Sequence, residues 1–299
     1  MAVIIMLLLG PLGSTPRCIA LSFSTLQSFL PELSPILFSA AACFAVFLLT
    51  MNKKNLLQVL GKILTPFLLL SIAIILFKGL LLPAKPRNVP FSSAAVFWQG
   101  LKEGYNTMDL LAAFFFSSTV LRLIKRREEG DNKQSIRIAL QASFIGGFLL
   151  AAVYIGFSYL ASFQGAEFLG ASKDKLLNLI TLKVAGPYAG LLICLTIALA
   201  CLTTAVALTS VFADFLQKDI FKDKISYRSS LMYSLFMTFI VANFQFNGIS
   251  AFLGPILEIC YPALIVLTFI NLGNKLFQIK SVKAPVYAAL AGSIALHLF

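Results

Sequence analysis

Six consecutive residues, Gly104-Tyr105-Asn106-Thr107-Met108-Asp109, place weak helix formers and an acid inside an otherwise apolar run, GLKEGYNTMDLLAAFFFSST at 100–119. The run reads as a membrane-spanning helix broken at mid-depth by Gly104, Tyr105 and Asn106, with Asp109 just past the break. A bilayer core holds no water, so each unpaired N–H or C=O there costs several kcal/mol. Such breaks persist where protein shields them or where they line a cavity. A half-helix starting near Met108 aims its free N–H groups at the break and offers a seat for the carboxylate of an anionic or zwitterionic solute. Asp109 has two compatible readings. It faces a cavity and tunes ion, proton or substrate binding, or it caps the second half-helix by accepting N–H bonds from Leu111 or Ala112.

Residues 197–210, IALACLTTAVALTS, hold a second set of oxygens. Thr203 and Thr204 are adjacent hydroxyls in an apolar helix, and Ala200 stands one turn earlier. The two hydroxyls and the Ala200 carbonyl can offer hard oxygen ligands to a small monovalent cation; alternatively both threonines bond back to preceding carbonyls, as is routine in membrane helices. A third segment, GPLGSTPRCIALSF at 10–23, combines Gly10, Gly13 and Ser14, which allow close helix approach, with Pro11 and Pro16, which free backbone carbonyls. Arg17 anchors this segment at the membrane interface or lines a cavity.

Other chemistries are poorly supplied. His297 is the sole histidine and sits at the extreme C-terminus, which removes Ser-His-Asp and Cys-His catalysis and leaves little for zinc. Cys18, Cys43, Cys194, Cys201 and Cys260 lie in or at the ends of apolar segments with no CxxC pair, and read as small packing residues. No nucleophile–base pair and no HExxH cluster is present, so the chain is not an enzyme and needs no cofactor beyond a coupling ion. No selectivity filter or charged ring points to a channel. The net charge of +12 lies in short loops between apolar runs, which argues for cytoplasmic loops and against nucleic acid.

The elements that must carry these residues are membrane helices. Hydrophobic residues make up 59% of the chain and charged residues only 12%, where a soluble domain has about 25%. Nine helices are predicted, over 1–25, 34–51, 62–82, 93–122, 136–162, 187–216, 228–246, 250–273 and 282–299. The first is kinked by its Gly and Pro residues. Met1 opens directly into an apolar run without a basic n-region or cleavage site, so residues 1–9 read as mature helix and the abrupt start as a sign of missing upstream sequence. Pro83 to Pro90 is an inter-helix loop, and Lys125 to Asp131 a solvated mixed-charge turn. With the N-terminus inside, 16 of the 24 Lys and Arg residues fall on the cytoplasmic side, which orients the C-terminus outside. Gly100/Gly104 and Gly186/Gly190 read as packing contacts. Glu258, between Pro255 and Pro262, marks an irregular helix that is a kink in preference to a gate.

Four segments in order, GPLGSTPR at 10–17, GYNTMDLLAA at 104–113, LACLTTAVALT at 199–209 and NFQFNGISAFLGPILEICYPALIVL at 243–267, resemble the branched-chain amino acid:cation symporter family, the BrnQ-type system II carriers. The resemblance implies an all-α polytopic membrane protein with part of the leucine-transporter fold of two inverted five-helix repeats. In that frame residues 1–299 form one transmembrane domain: 1–82 are the remainder of the first repeat, 93–273 the second repeat, and 282–299 an extra terminal helix. It implies that the GYNTMD break is the unwound sixth helix, with Gly104, Tyr105, Asn106, Thr107, Met108 and Asp109 at the substrate. It also implies that Ala200, Thr203 and Thr204 on the eighth helix complete a sodium site with first-helix carbonyls. The expected activity is import of leucine, isoleucine and valine by symport with Na+ or H+ across the inner membrane. Met1 then falls at the family's third helix and the C-terminus ends one helix early. The expected partners therefore include a separate polypeptide supplying the first helices, and the alternative is a truncated or split subunit without transport activity of its own.

Overall fold

The computed structural model describes residues 2–51, 65–81, 92–127, 132–164, 170–277 and 283–298. Lys53, Lys54, Lys62, the Pro83–Pro90 loop and the Glu128–Asp131 turn lie outside the described residues. The helices are α1 (Ala2–Leu9), α2 (Ser14–Gln27), α3 (Pro35–Met51), α4 (Thr65–Leu81), α5 (Ser93–Tyr105), α6 (Asp109–Arg127), α7 (Asn132–Gln164), α8 (Lys173–Phe215), α9 (Tyr227–Ala242), α10 (Gln245–Phe277) and α11 (Lys283–Leu298), with a π-helical turn at Leu216–Ile220. No strand occurs among the described residues, and the protein is an all-α polytopic membrane protein. Ile5–Gln27, Lys133–Phe163, Cys194–Ile220 and Gln245–Asn274 are long and apolar enough to cross a bilayer, and α3 and α4 are shorter apolar helices.

The chain forms two compact units, Met1–Val89 with Phe114–Ile249, and Pro90–Ala113 with Ser250–Phe299. The larger unit is organised on α8, with α2 along it and α3, α4 and α9 around it. Its core joins Ile19 of α2, Cys43 and Val46 of α3, Ala205, Val206 and Ala213 of α8, and Leu231, Leu235 and Ala242 of α9. Lipid tails are as apolar as leucine, so this packing rests on close van der Waals contact and interhelical hydrogen bonds. The buried face of α2 is accordingly small and polar, with Thr15, Ala20, Ser22, Ser24 and Thr25, and Ser22 Oγ donates to the Ala198 carbonyl at 3.4 Å.

The kink expected in the first span is a full break. Residues 10–13 form a turn, and Gly13 starts α2 without a side-chain cap. Gly10 is required there: a Cβ would stand 2.8 Å from the Phe212 ring and 2.8 Å from the Met6 carbonyl. A second interruption was not anticipated. α8 bends at Gly186 (φ 78°, ψ 173°), so residues 173–185, expected as loop, form a helical arm ahead of the span that follows. The Gly pairs also differ from expectation. Nothing approaches within 4 Å of a Cβ at Gly100, Gly104 or Gly186, and only Gly190 is crowded, by Leu182 at 2.7 Å. The turn expected near 247–249 falls at Asn243–Phe244, where Asn243 Nδ2 donates to the Phe239 carbonyl at 2.7 Å.

Candidate functional site

In the smaller unit α5 ends in a tightening turn. Asn106 N–H donates to the Glu103 carbonyl (3.0 Å), Thr107 N–H to Gly104 (3.3 Å) and Met108 N–H to Tyr105 (3.2 Å). These i→i−3 bonds satisfy the helix end and stop it from continuing. Gly104 and Tyr105 therefore belong to the last turn of α5, and the interruption sits at Asn106–Met108, slightly later than the sequence had placed it. The turn into α6 is made by Met108, a buried residue in the left-handed region at φ 64°. Its carbonyl accepts the Ala112 N–H at 2.9 Å, so Met108 occupies the N-cap position and Asp109 opens α6.

Asp109 shares its carboxylate with the break. Thr107 Oγ lies 2.8 Å from Asp109 Oδ2 and 2.7 Å from the Gly104 carbonyl. One hydroxyl proton cannot serve both acceptors, so the Asp109 carboxylate and the Gly104 carbonyl compete for it. The break also packs on α10. The Tyr105 and Tyr261 rings stack at 5.0 Å between centroids, and the Asn106 side-chain oxygen lies 3.7 Å from the Cβ position of Gly254. Lys102 pairs with Glu258 at 3.6 Å, and Asn106 Nδ2 donates to Glu103 Oε2 at 3.2 Å. Sequence reasoning found GPILEICYP as an irregular helix but did not join it to the break. Helical spacing of Gly254, Glu258 and Tyr261 on one face of α10 was the available signal.

Ala200, Thr203 and Thr204 lie in the larger unit, on α8. Thr203 Oγ and Thr204 Oγ both donate to the Ala200 carbonyl, at 2.8 and 2.9 Å. Back-bonding is thus present, and it gathers the two hydroxyls on the Ala200 carbonyl. Ala200 and Thr204 line a cavity of about 230 Å³ with Cys18, Ser71, Thr196 and Cys201. Arg17 is half-buried, with its guanidinium 4.7 Å over the Phe246 ring.

Sequence reasoning missed a polar cluster at the start of α8. Ser24 Oγ donates to Asp174 Oδ2 at 2.6 Å, Asn247 Nδ2 approaches Asp174 Oδ1 at 3.5 Å, and the buried Asn178 donates to the Ser24 carbonyl at 3.4 Å. Burial pushes the Asp174 carboxyl up, but hydrogen bonds from Ser172, Ser24 and its own backbone, with the Lys175 charge, outweigh that and hold it below its ordinary value. The contacts come from residues about 150 positions apart, which no local pattern reveals.

The interrupted helical spans mark a polytopic membrane protein, and the family that matches it is one of transport proteins. The family described as branched-chain amino acid transport protein matches residues 1–298, and the chain belongs to it. It is 31% identical over 292 residues to the branched-chain amino acid permease BrnQ of Bacillus subtilis (strain 168), covering 93% of this chain and 64% of that protein. It is 28% identical over 303 residues to a protein of Staphylococcus aureus (strain bovine RF122 / ET3-1) named for a branched-chain amino acid carrier, covering 95% of this chain and 67% of the relative. The same figures hold for the corresponding protein of strain USA300. The chain spans about two thirds of the length of the curated relatives it matches. No solved structure gives a significant match.

Proposed function

We propose that this chain carries the greater part of a secondary transporter for leucine, isoleucine and valine, working by symport with Na+ or H+ in the cell membrane. The observation that carries the reading is the interruption between α5 and α6. Asn106–Met108 close α5 with i→i−3 bonds, and the N-terminus of α6, opened by Asp109, begins directly after them. An amino acid is the solute this geometry suits: the N-terminal dipole of α6 takes its carboxylate, and Asp109 or a bound cation balances charge. The Ala200–Thr203–Thr204 oxygens supply part of a cation site, and an apolar lining selects branched aliphatic side chains. Family names of the relatives agree with that substrate class.

The leucine-transporter arrangement is the frame we adopt, with the N-terminus cytoplasmic as the Lys and Arg distribution requires. In that frame the remaining helices come from sequence outside this chain, in the same or a separate polypeptide. Uptake of radiolabelled leucine into vesicles, driven by a Na+ or a pH gradient, tests the reading. Uptake by the chain together with a relative's remaining third, competed by isoleucine and valine, supports it. Uptake of none of the three by that combination, with both pieces in the membrane, overturns it in favour of a subunit that does not transport.

A further inference from the structure

We infer that Cys18 and Cys201 form a reversible thiol–disulfide pair, a peroxide-sensitive modification site in the wall of the cavity between α2 and α8. The two cysteines lie on facing helices, one turn along from the contact of Ser22 with the Ala198 carbonyl. Both are free thiols, both are half-buried, and both line the same cavity of about 230 Å³. The contact is built into the packing. α2 and α8 run antiparallel here: Cys18 meets Cys201, and one turn along Ser22 Oγ reaches the Ala198 carbonyl at 3.4 Å. That second tie keeps the helices in register, so the sulfurs remain neighbours.

The other cysteines are placed differently. Cys43 Sγ points to the Leu235 carbonyl at 3.9 Å, and Cys194 Sγ to Asn178 Oδ1 at 3.8 Å. Cys18 differs from them in following Arg17 directly in the chain and in lining the cavity. A positive neighbour and partial exposure are what make a thiol chemically available.

The chemistry balances with hydrogen peroxide, a small neutral oxidant that enters a cavity of this size. The Cys18 thiolate attacks one peroxide oxygen, the O–O bond breaks, and hydroxide leaves, giving a sulfenic acid. The Cys201 thiol then attacks that sulfur, the S–O bond breaks, and water leaves as the disulfide forms. Two thiols lose two electrons and two protons in all, and one peroxide becomes two waters. A disulfide needs the sulfurs at about 2.05 Å, and both side chains border the same cavity. Cys201 is flanked by Ala200 and Thr204, so the cross-link fastens the α8 oxygens to α2. The consequence for uptake rests on the transport reading above; the cross-link itself does not.

The test treats membranes containing the full chain with graded hydrogen peroxide, alkylates free thiols under denaturing conditions, and identifies linked peptides by mass spectrometry. A Cys18–Cys201 disulfide should accumulate to more than half of the chain and disappear with dithiothreitol, while Cys43 and Cys194 stay alkylated. Cys18 and Cys201 both recovered alkylated after peroxide, or oxidised singly without linkage, overturns the pair. In the reconstituted transporter, peroxide should lower leucine uptake at least fivefold in the native protein and in Cys43→Ser, reversibly with dithiothreitol, and not in Cys18→Ser. A linked pair with unchanged uptake leaves the modification site standing and overturns its effect on transport.

Discussion

Ser24 at the end of α2 donates its hydroxyl to Asp174 at 2.6 Å and thereby ties α2 to the arm of α8 that precedes Gly186. The bond is the centre of a cluster with Asn178 and Asn247, and it lies outside the candidate span Cys194–Ile220. A charged acceptor in such a bond contributes about 1.5–3 kcal/mol. Asp174→Asn turns one acceptor oxygen into a donor and should loosen the arm by about 1–2 kcal/mol. The depressed pKa gives the sign with pH. The carboxylate's contribution is complete above its ordinary value near 3.8 and is lost as pH falls through the lower folded value. Amide hydrogen exchange over residues 173–185 should therefore accelerate below about pH 4 in the native chain. In Asp174→Asn it should be fast at neutral pH and show no such step.

Asp109 and Thr107 yield a second expectation. Thr107 has one hydroxyl proton and two acceptors, the Gly104 carbonyl at 2.7 Å and Asp109 Oδ2 at 2.8 Å. The Asp109 carboxylate therefore bears directly on how the break is bonded. Asp109→Asn presents a permanent donor in its place. It should reduce leucine uptake about tenfold, roughly 1.4 kcal/mol. Leucine uptake at the native rate in Asp109→Asn removes the acid from the mechanism.

Gly10 and Phe212 provide a test of the packing. A Cβ at Gly10 stands 2.8 Å from a ring that is 2% exposed and has nowhere to move. Gly10→Val should destabilise the protein by about 1–3 kcal/mol through overpacking. Phe212→Leu in the same chain should recover part of that loss, as contacting residues are coupled. Thermal unfolding in detergent reads both, and strictly additive effects would place the cost elsewhere.

The helices were legible because each is a long apolar run, and the break near 104–109 because Gly, Asn and Asp stand out against it. Its position was off by about two residues. Tyr105 continues the helix, and the left-handed turn falls on Met108, a residue with no local signal for that conformation. Met108 holds φ 64° because it is buried and the surrounding turn fixes it. The Gly186 bend was present in the sequence as VAGPYAG but read as loop, because residues 173–183 are rich in lysine and the apolar pattern starts later. Tyr261 against Tyr105 and Asp174 against Ser24 were out of reach, since both pairs join segments more than 140 residues apart.

Thr203 and Thr204 separate the two coupling ions. Both hydroxyls donate to the Ala200 carbonyl, at 2.8 and 2.9 Å, so their protons point inward and their lone pairs outward. Thr→Val keeps the shape and removes the oxygen, and Thr→Ser keeps the oxygen. If Na+ is bound here, Thr203→Val with Thr204→Val should raise the sodium concentration for half-maximal uptake at least tenfold, about 1.4 kcal/mol, while the two serine variants stay near native. The Val variants would leave uptake driven by a pH gradient intact. Sodium dependence unchanged in the Val variants, or pH-driven uptake lost in them, contradicts the assignment, because what the valines remove is two cation-binding oxygens and no titrating group.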